Sequence, residues 1–275
     1  MQASSRWSPP GGTLGTIVKE AGERASALRR DHGPRLGASL RDLPKPPSLA
    51  VALRSASVGV LAEVKRRSPS KGDIAPALDP VDQARAYQDG GAAGVSILTE
   101  PRHFGGSADD LAAVRAHVDL PILKKDFHVD VIQLVEARVL GASAALLIAR
   151  ALHPDLLVSL VDEGRALGLE LLVEVRDEAE LETAIRAKAS MIGVNNRNLE
   201  TLVIDPATCD RLIPLIPTDA VAVAESGVQS RAHVERYAAI GADAVLVGSV
   251  LSASADPARA TRELTGVSRR ARGRS

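Results

Sequence analysis

SRAHVERYAAIGADAVLVGS, residues 230–249, holds one complete structural unit. Residues 230–240 read as an amphipathic helix, and Gly241-Ala242 as its exit, where glycine adopts the left-handed conformation. The apolar run 243–247 reads as a buried strand, and Gly248-Ser249 as the turn into another helix. Working outward, the same succession recurs along the chain. Strands are expected at 58–64, 94–98, 121–125, 143–148, 169–175, 191–195, 220–225 and 243–247. Helices follow at 80–89, 107–117, 131–140, 154–167, 177–187, 206–213, 230–240 and 257–264. Asp79-Pro80, His153-Pro154, Asp205-Pro206 and Asp256-Pro257 supply helix starts, with proline in the first turn behind a cap. Gly91-Ala92 and Gly141-Ala142 repeat the helix exit. Strict alternation implies a parallel sheet, and eight units imply closure: an α/β fold, the (β/α)8 TIM barrel. An open doubly wound sheet would carry a glycine-rich dinucleotide loop after its first strand, and none is present.

The composition fits this class. Aromatic residues are 2% of 275, so Leu, Val, Ile and Ala must build the core, as buried parallel strands do. Thirty-four basic residues balance 34 acidic ones, which argues against a nucleic-acid footprint or a polybasic membrane anchor. No apolar run is long enough to span a bilayer. Met1 to Arg6 lack the apolar core and cleavage site of an export signal, so a cytoplasmic location is expected. Cys209 is the only cysteine, which excludes an intrachain disulfide and reads as packing.

Residues 1–57 fall outside the repeat and are expected to form a helical extension packed on the barrel. Ile17, Ala21, Ala25 and Leu28 mark a helix over 16–30; Pro44-Lys45-Pro46-Pro47 breaks it before a short helix at 49–54. The helices either plug the barrel's bottom or side, or cover its mouth. The barrel domain runs over 58–267, and 268–275, with Arg269, Arg270, Arg272 and Arg274, reads as a solvated basic tail.

In such barrels the active site lies at the C-terminal ends of the strands. Period-two alternation puts Glu63 and Lys65 on one face, opposite Val64. The third strand ends Lys124-Lys125-Asp126-Phe127, the fifth carries Glu174, the sixth ends Asn195-Asn196-Arg197 and the seventh Glu225-Ser226-Gly227. One lysine or glutamate at a strand end is more often a salt bridge than a catalyst. Several around one rim point to mutual pairing and tuned pKa values, because buried charges are costly unless paired. Ser226-Gly227 and Gly248-Ser249 follow the last two strands, where barrels often bind phosphate. No metal spacing is seen: His103, His128 and His153 are scattered and read as surface loop residues.

Taken together, AEVKRRSPSKGDI (62–74), ILTEPRHFGGS (97–107), LPILKKDF (120–127), LLVEV (171–175), IGVNNRNLETL (192–202), AESGV (224–228) and LVGSVL (246–251) resemble the indole-3-glycerol phosphate synthase family. The resemblance covers roughly residues 48–265 and is most specific in KRRSPSKG and LKKDF. It implies a lyase of tryptophan biosynthesis. Such an enzyme converts 1-(2-carboxyphenylamino)-1-deoxyribulose 5-phosphate to indole-3-glycerol phosphate, carbon dioxide and water, with no cofactor. It also implies site roles. Lys125 is the general acid, a lysine of depressed pKa, while Lys124 faces outward. Lys65 meets the substrate carboxylate or serves in dehydration, Glu174 is base or electrostatic partner, and Glu63 orients the lysines. Asn195 and Arg197 hold polar groups of the substrate; Ser68, Ser226, Gly227, Gly248 and Ser249 surround its phosphate. Pro69, Phe104, Phe127, Leu146, Ile148, Leu199, Leu202 and Leu246 form an apolar slot for the aromatic ring, though each could instead be core. The sequence departs from the family pattern at Leu49 and at His128, which could alter local packing or pH response.

Two other readings compete. Phosphoribosylanthranilate isomerase, another phosphate-binding barrel, resembles an acid–base pair with a cysteine ending the first strand, where Glu63 and Lys65 stand here. A catalytically dead scaffold barrel should have lost its rim charges, yet Glu63, Lys65, Lys125, Glu174 and Asn195 are present. The expected partner is a small phosphorylated substrate, with neither nucleic acid nor membrane; contacts with other enzymes of tryptophan synthesis are not legible.

Overall fold

A computed structural model describes residues 7–41 and 43–273. Eight parallel strands close into a barrel: β1 (Gly59–Val64), β2 (Gly94–Leu98), β3 (Ile122–Lys125), β4 (Ala144–Ile148), β5 (Glu170–Val175), β6 (Met191–Asn195), β7 (Val221–Glu225) and β8 (Ala244–Val247). Each strand pairs with its sequence neighbours, and β8 closes on β1 through Gly59 opposite Ala244 to Ala62 opposite Val247. Nearly every strand residue is buried, because the inner face packs the barrel interior and the outer face meets the helices. Among the described residues no helix is long and apolar enough to cross a membrane.

The outer helices are α3 (Pro80–Asp89), α4 (Ala108–Arg115), α5 (Val131–Val139), α6 (Pro154–Ala166), α7 (Glu178–Arg186), α8 (Ala207–Leu212), α9 (Arg231–Ala239), a single turn α10 (Ser249–Ser252) and α11 (Pro257–Leu264). Their starts follow from local chemistry. The side chains of Asp79, Ser107, Asp130, Asp177 and Asp256 accept first-turn N–H groups, satisfying donors that have no partner within the helix. The element boundaries differ from the sequence expectation by one or two residues. The small elements not expected include α10 and an antiparallel ribbon of Arg67–Ser68 with Gly72–Asp73 in the loop after β1.

The N-terminal helices divide between the two ends of the barrel. α2 (Leu49–Leu53) closes the bottom: Leu49 and Leu53 are fully buried against Gly94 and Gly59, the first residues of β2 and β1. Burying each leucine is worth roughly 1.5–3 kcal/mol. The Glu170 carboxylate, at the start of β5, accepts Ser48 Oγ and the N–H of Ala50. α1 (Gly12–Ser39) instead lies beside the mouth, packed along α5. It is longer than its periodicity predicts. Gly11 N–H donates to Glu200 Oε1 at 2.7 Å and Leu14 is buried, so tertiary contacts hold a glycine-rich first turn in helix. At the other end α1 continues past Arg30 through Gly33 and Pro34, where most side chains are exposed.

The basic tail needs a correction. Arg269 and Arg272 converge on Asp243 at 2.7 and 2.6 Å, and Arg272 also donates to the Ala220 carbonyl at 2.6 Å. Asp243 is buried at the start of the last strand and demands a counter-charge, so this part of the tail is docked rather than solvated. Arg274 and the segment Met1 to Arg6, on which the export reading rested, lie outside the described residues.

Candidate active site

A cavity of about 560 Å³ opens at the C-terminal ends of the strands. Its floor is ionic. Glu63 points inward from β1, and its Oε1 accepts Lys65 Nζ at 2.9 Å. Lys125, ending β3, places Nζ 3.4 Å from Glu174 Oε2 and 3.9 Å from Glu225 Oε2. Asn195 donates to Glu174 Oε1 at 2.8 Å and accepts the Arg197 N–H at 2.8 Å, which fixes the turn after β6. Two glycines make room for the acids. A Cβ on Gly193 would stand 1.9 Å from Glu225 Oε1, and one on Gly248 would stand 2.5 Å from Glu63 Oε1.

The charges tune one another. Burial pushes the Lys125 pKa down, but Glu174, Glu225 and Glu63 outweigh it, so its pKa lies above the ordinary lysine value. The expectation of a lysine with depressed pKa is therefore corrected: the ring of carboxylates keeps this one charged. Burial raises Glu63, yet Lys65 and Lys125 hold it below the usual carboxylate value. Glu225 goes the other way. Burial and the neighbouring Glu174 raise it well above the ordinary range, and its Oε1 has no hydrogen-bond partner among the described residues.

The walls are apolar. Pro69, Phe104, Phe127, Leu146, Ile148, Leu199, Leu202 and Leu246 all line the cavity. The Phe104 and Phe127 ring centroids are 6.1 Å apart with planes 37° apart, and Lys65 Nζ stands 5.8 Å from the Phe104 centroid. Ser226, Gly227, Gly248 and Ser249, with Ser68 and Arg197, complete the lining. Ser226 and Gly227 are consecutive left-handed residues, at φ 63° and 90°; serine adopts that conformation rarely, and such positions cluster at ligand sites. The Ser68 hydroxyl is buried without a hydrogen-bond partner among the described residues. Every site residue expected from the sequence lines this cavity except Glu174, which reaches it through Lys125 and Asn195 and borders a smaller side cavity of about 110 Å³.

Other expectations change. Lys124 does point away from the cavity, but into the helix layer: it is 1% exposed and pairs with Glu136 of α5. His128 is buried rather than on the surface. Its Nδ1 bonds the Leu146 carbonyl, and burial together with Lys124 pushes its pKa down to about 4. His103 is half-buried against Glu20, while His153 caps α6. Glu20, Glu100 and His103 bring ligand atoms within 4.8 Å of one another. Arg24, Arg102 and backbone N–H groups already occupy those carboxylates, so the cluster is a set of salt bridges.

Sequence reasoning gives Glu225 a place on the rim but no role, and it misses the share of α1. Leu14 and Ile17 line the cavity, a placement that depends on tertiary docking alone. Lys71 and Ser70, inside the quoted KRRSPSKG block, also reach it.

Comparison with known proteins gives the following. Residues 14–264 match the family model described as indole-3-glycerol phosphate synthase. A protein of that name from Nocardioides sp. is 51% identical over 250 residues, covering 90% of this chain and 96% of its own. One from Mycolicibacterium smegmatis is 50% identical over 221 residues, covering 80% and 81%. Among solved structures, thiamine phosphate pyrophosphorylase from Pyrococcus furiosus superposes with TM-score 0.59 at 16% identity, covering 79% of this chain and 96% of that one. 3-Hexulose-6-phosphate synthase from Salmonella typhimurium gives 0.59 at 18%, covering 75% and 96%. These two likenesses bear on the fold alone.

Proposed function

The chain belongs to the indole-3-glycerol phosphate synthase family, and from that premise we propose which of its residues carry out each part of the reaction. The enzyme is a carboxy-lyase of tryptophan biosynthesis. It closes the pyrrole ring of 1-(2-carboxyphenylamino)-1-deoxyribulose 5-phosphate by joining the ring carbon that bears the carboxylate to the ribulose carbonyl carbon. Carbon dioxide then leaves, and loss of water completes the indole.

As the carbonyl carbon is attacked, its oxygen must gain a proton, and Lys125 donates it. The observation that carries this role is the setting of the Lys125 ammonium, held charged among Glu63, Glu174 and Glu225 on the cavity floor. An ammonium kept protonated acts as donor and electrostatic catalyst together: it stabilises the developing alkoxide before the proton moves. Lys65, paired with Glu63, meets the substrate carboxylate or assists departure of the hydroxyl. Glu174 removes the proton lost as the ring becomes aromatic, with Asn195 holding its other oxygen. Glu225, raised toward its neutral form, limits repulsion between the acids.

The phosphate binds at Ser226, Gly227, Gly248 and Ser249, with the orphan Ser68 hydroxyl available to it, and Arg197 holds polar groups of the sugar. The phenyl ring lies between the apolar residues of the lining, bent over the carbonyl, and gains rate from orientation. A small phosphorylated substrate suits the cavity's size. The test is turnover followed by indole fluorescence, with product release of carbon dioxide measured in parallel; a chain that binds the substrate without forming either product refutes these assignments.

A further inference from the structure

We propose that Arg24 is a positioning residue for the aromatic ring of the substrate, acting through the spacing of Phe104 and Phe127. The proposal rests on the reading of those two phenylalanines as the ring slot. Each sits beside a buried acid that binds its backbone. Glu100, 0% exposed, accepts the Phe104 N–H at 3.1 Å through Oε2, which also accepts the His103 N–H at 2.6 Å. Asp126 Oδ1 accepts the Phe127 N–H at 2.7 Å, while Oδ2 accepts Thr99 Oγ1 at 2.7 Å. One guanidinium joins the two acids. From α1, Arg24 Nη1 donates to Glu100 Oε1 at 3.1 Å and Nη2 to Asp126 Oδ1 at 2.6 Å.

The geometry of a guanidinium is rigid and planar, so two acids held by its two terminal nitrogens have a fixed separation. Through the backbone bonds that separation passes to the two rings, whose centroids stand 6.1 Å apart. Without Arg24, Glu100 and Asp126 would lose the one cation that both bind, although Lys124 would still act on Asp126, and the loop that bears Phe104 would lose one of its ties to α1. Glu20, one turn earlier on the helix, grips the same loop through Arg102 and His103. Both grips fall on loop residues beside Phe104, and α1 adds Leu14 and Ile17 to the same wall. Arg24 bonds neither a charged group of the floor nor a residue of the proposed phosphate site, so its effect on the reaction should run chiefly through the ring.

A double-mutant cycle tests this. Phe104→Ala and Arg24→Met should each lower kcat/KM by about 10-fold or more. The two together should lose less than about threefold more than the worse single variant, because both act through one slot. Inhibition by inorganic phosphate, which reads the proposed phosphate site rather than the ring slot, should be unchanged in Arg24→Met. Arg24→Lys keeps the charge but lacks the fork that spans two acids; it should show an intermediate loss, and it replaces the methionine variant in the cycle should that one fail to fold. If Phe104→Ala alone leaves kcat/KM intact, the slot reading falls and takes the proposal with it. If Phe104→Ala is impaired while both Arg24 variants are unimpaired, the slot stands and the role of Arg24 is refuted. Losses that multiply in the double variant, or weakened phosphate inhibition, would make Arg24 a general staple of the fold and overturn the proposal equally.

Discussion

Lys125→Met removes the proposed proton donor while keeping the side chain's length, and the surrounding acids set what else must follow. At an effective dielectric constant of about 20, an ammonium 3.4 Å from Glu174 attracts that carboxylate by roughly 5 kcal/mol, while Glu225 at 3.9 Å, raised toward its neutral form, adds less. Much of this is offset by the cost of burying the ammonium, and removing one partner of a buried pair leaves a net loss of about 3–5 kcal/mol. The variant can avoid part of that loss by taking up protons. Glu225 already holds its proton strongly, and without Lys125 the pKa of Glu63 should rise as well. A carboxyl whose folded pKa is raised stabilises the fold below its unfolded pKa and loses that contribution as pH rises through the folded value. The stability deficit of Lys125→Met should therefore be small near pH 5 and largest near pH 8. Thermal unfolding across that range, beside turnover at each pH, provides the assay. Turnover should fall at least ~10²-fold, whereas Lys124→Met, in the helix layer, should keep most of it. Turnover within tenfold of the parent would remove Lys125 from proton donation, and a stability deficit independent of pH would refute the electrostatic account of the floor.

Gly248→Ala should place a methyl group 2.5 Å from Glu63 Oε1 and push that acid off Lys65, so both substrate affinity and turnover should drop; Gly227→Ala, strained at φ 90° but sterically open, should weaken affinity and phosphate inhibition more than turnover. Unchanged steady-state constants in both would place the phosphate elsewhere. Phe104 is only partly buried against the core, so Phe104→Ala should cost little stability, well below the roughly 3–5 kcal/mol of a buried phenylalanine; a large fall in melting temperature with intact kinetics would return it to the core. His128 has a folded pKa pushed down to about 4, so between pH 6.5 and 4 the unfolded chain binds a proton that the native state refuses, and stability falls with pH. His128→Leu lacks this contribution and should gain on the parent by up to about 3 kcal/mol over that interval; parallel melting curves for the two proteins from pH 7 to 4.5 would contradict it.

The barrel was legible because most strands announce themselves twice, by an apolar run and by a glycine exit from the helix before it or a proline start in the helix after it. The inward acids and lysines followed from period-two alternation once the strand ends were known, and the family motifs supplied the roles. Three things were not legible, each for a physical reason. The raised pKa of Lys125 depends on acids that arrive from β1, β5 and β7, whose distances no local pattern encodes. The burial of His128 depends on a carbonyl of β4, 18 residues away. The docking of α1 across the mouth depends on ion pairs such as Arg24 with Asp126, spaced 102 positions apart. Periodicity marks which face of α1 is apolar but not which end of the barrel receives it.

The attachment of α1 also dictates when a growing chain can become an enzyme. Its first turn is tied to Glu200, 189 positions downstream of Gly11, and Arg150 bridges Glu200 to the carbonyl of Ser8. These are among the most non-local contacts in the molecule, and contacts of such sequence separation form late because loop closure must precede them. The bottom plug has a shorter wait: Leu49 and Leu53 find their partners in the first two strands. During synthesis, α1 leaves the ribosome before its partners and must therefore remain undocked at its tip until β6 and the loop after it have emerged. An amphipathic helix that presents Leu14 and Ile17 stays uncovered for all that time, and the part of the cavity lining that α1 supplies is completed only after the sixth strand has emerged.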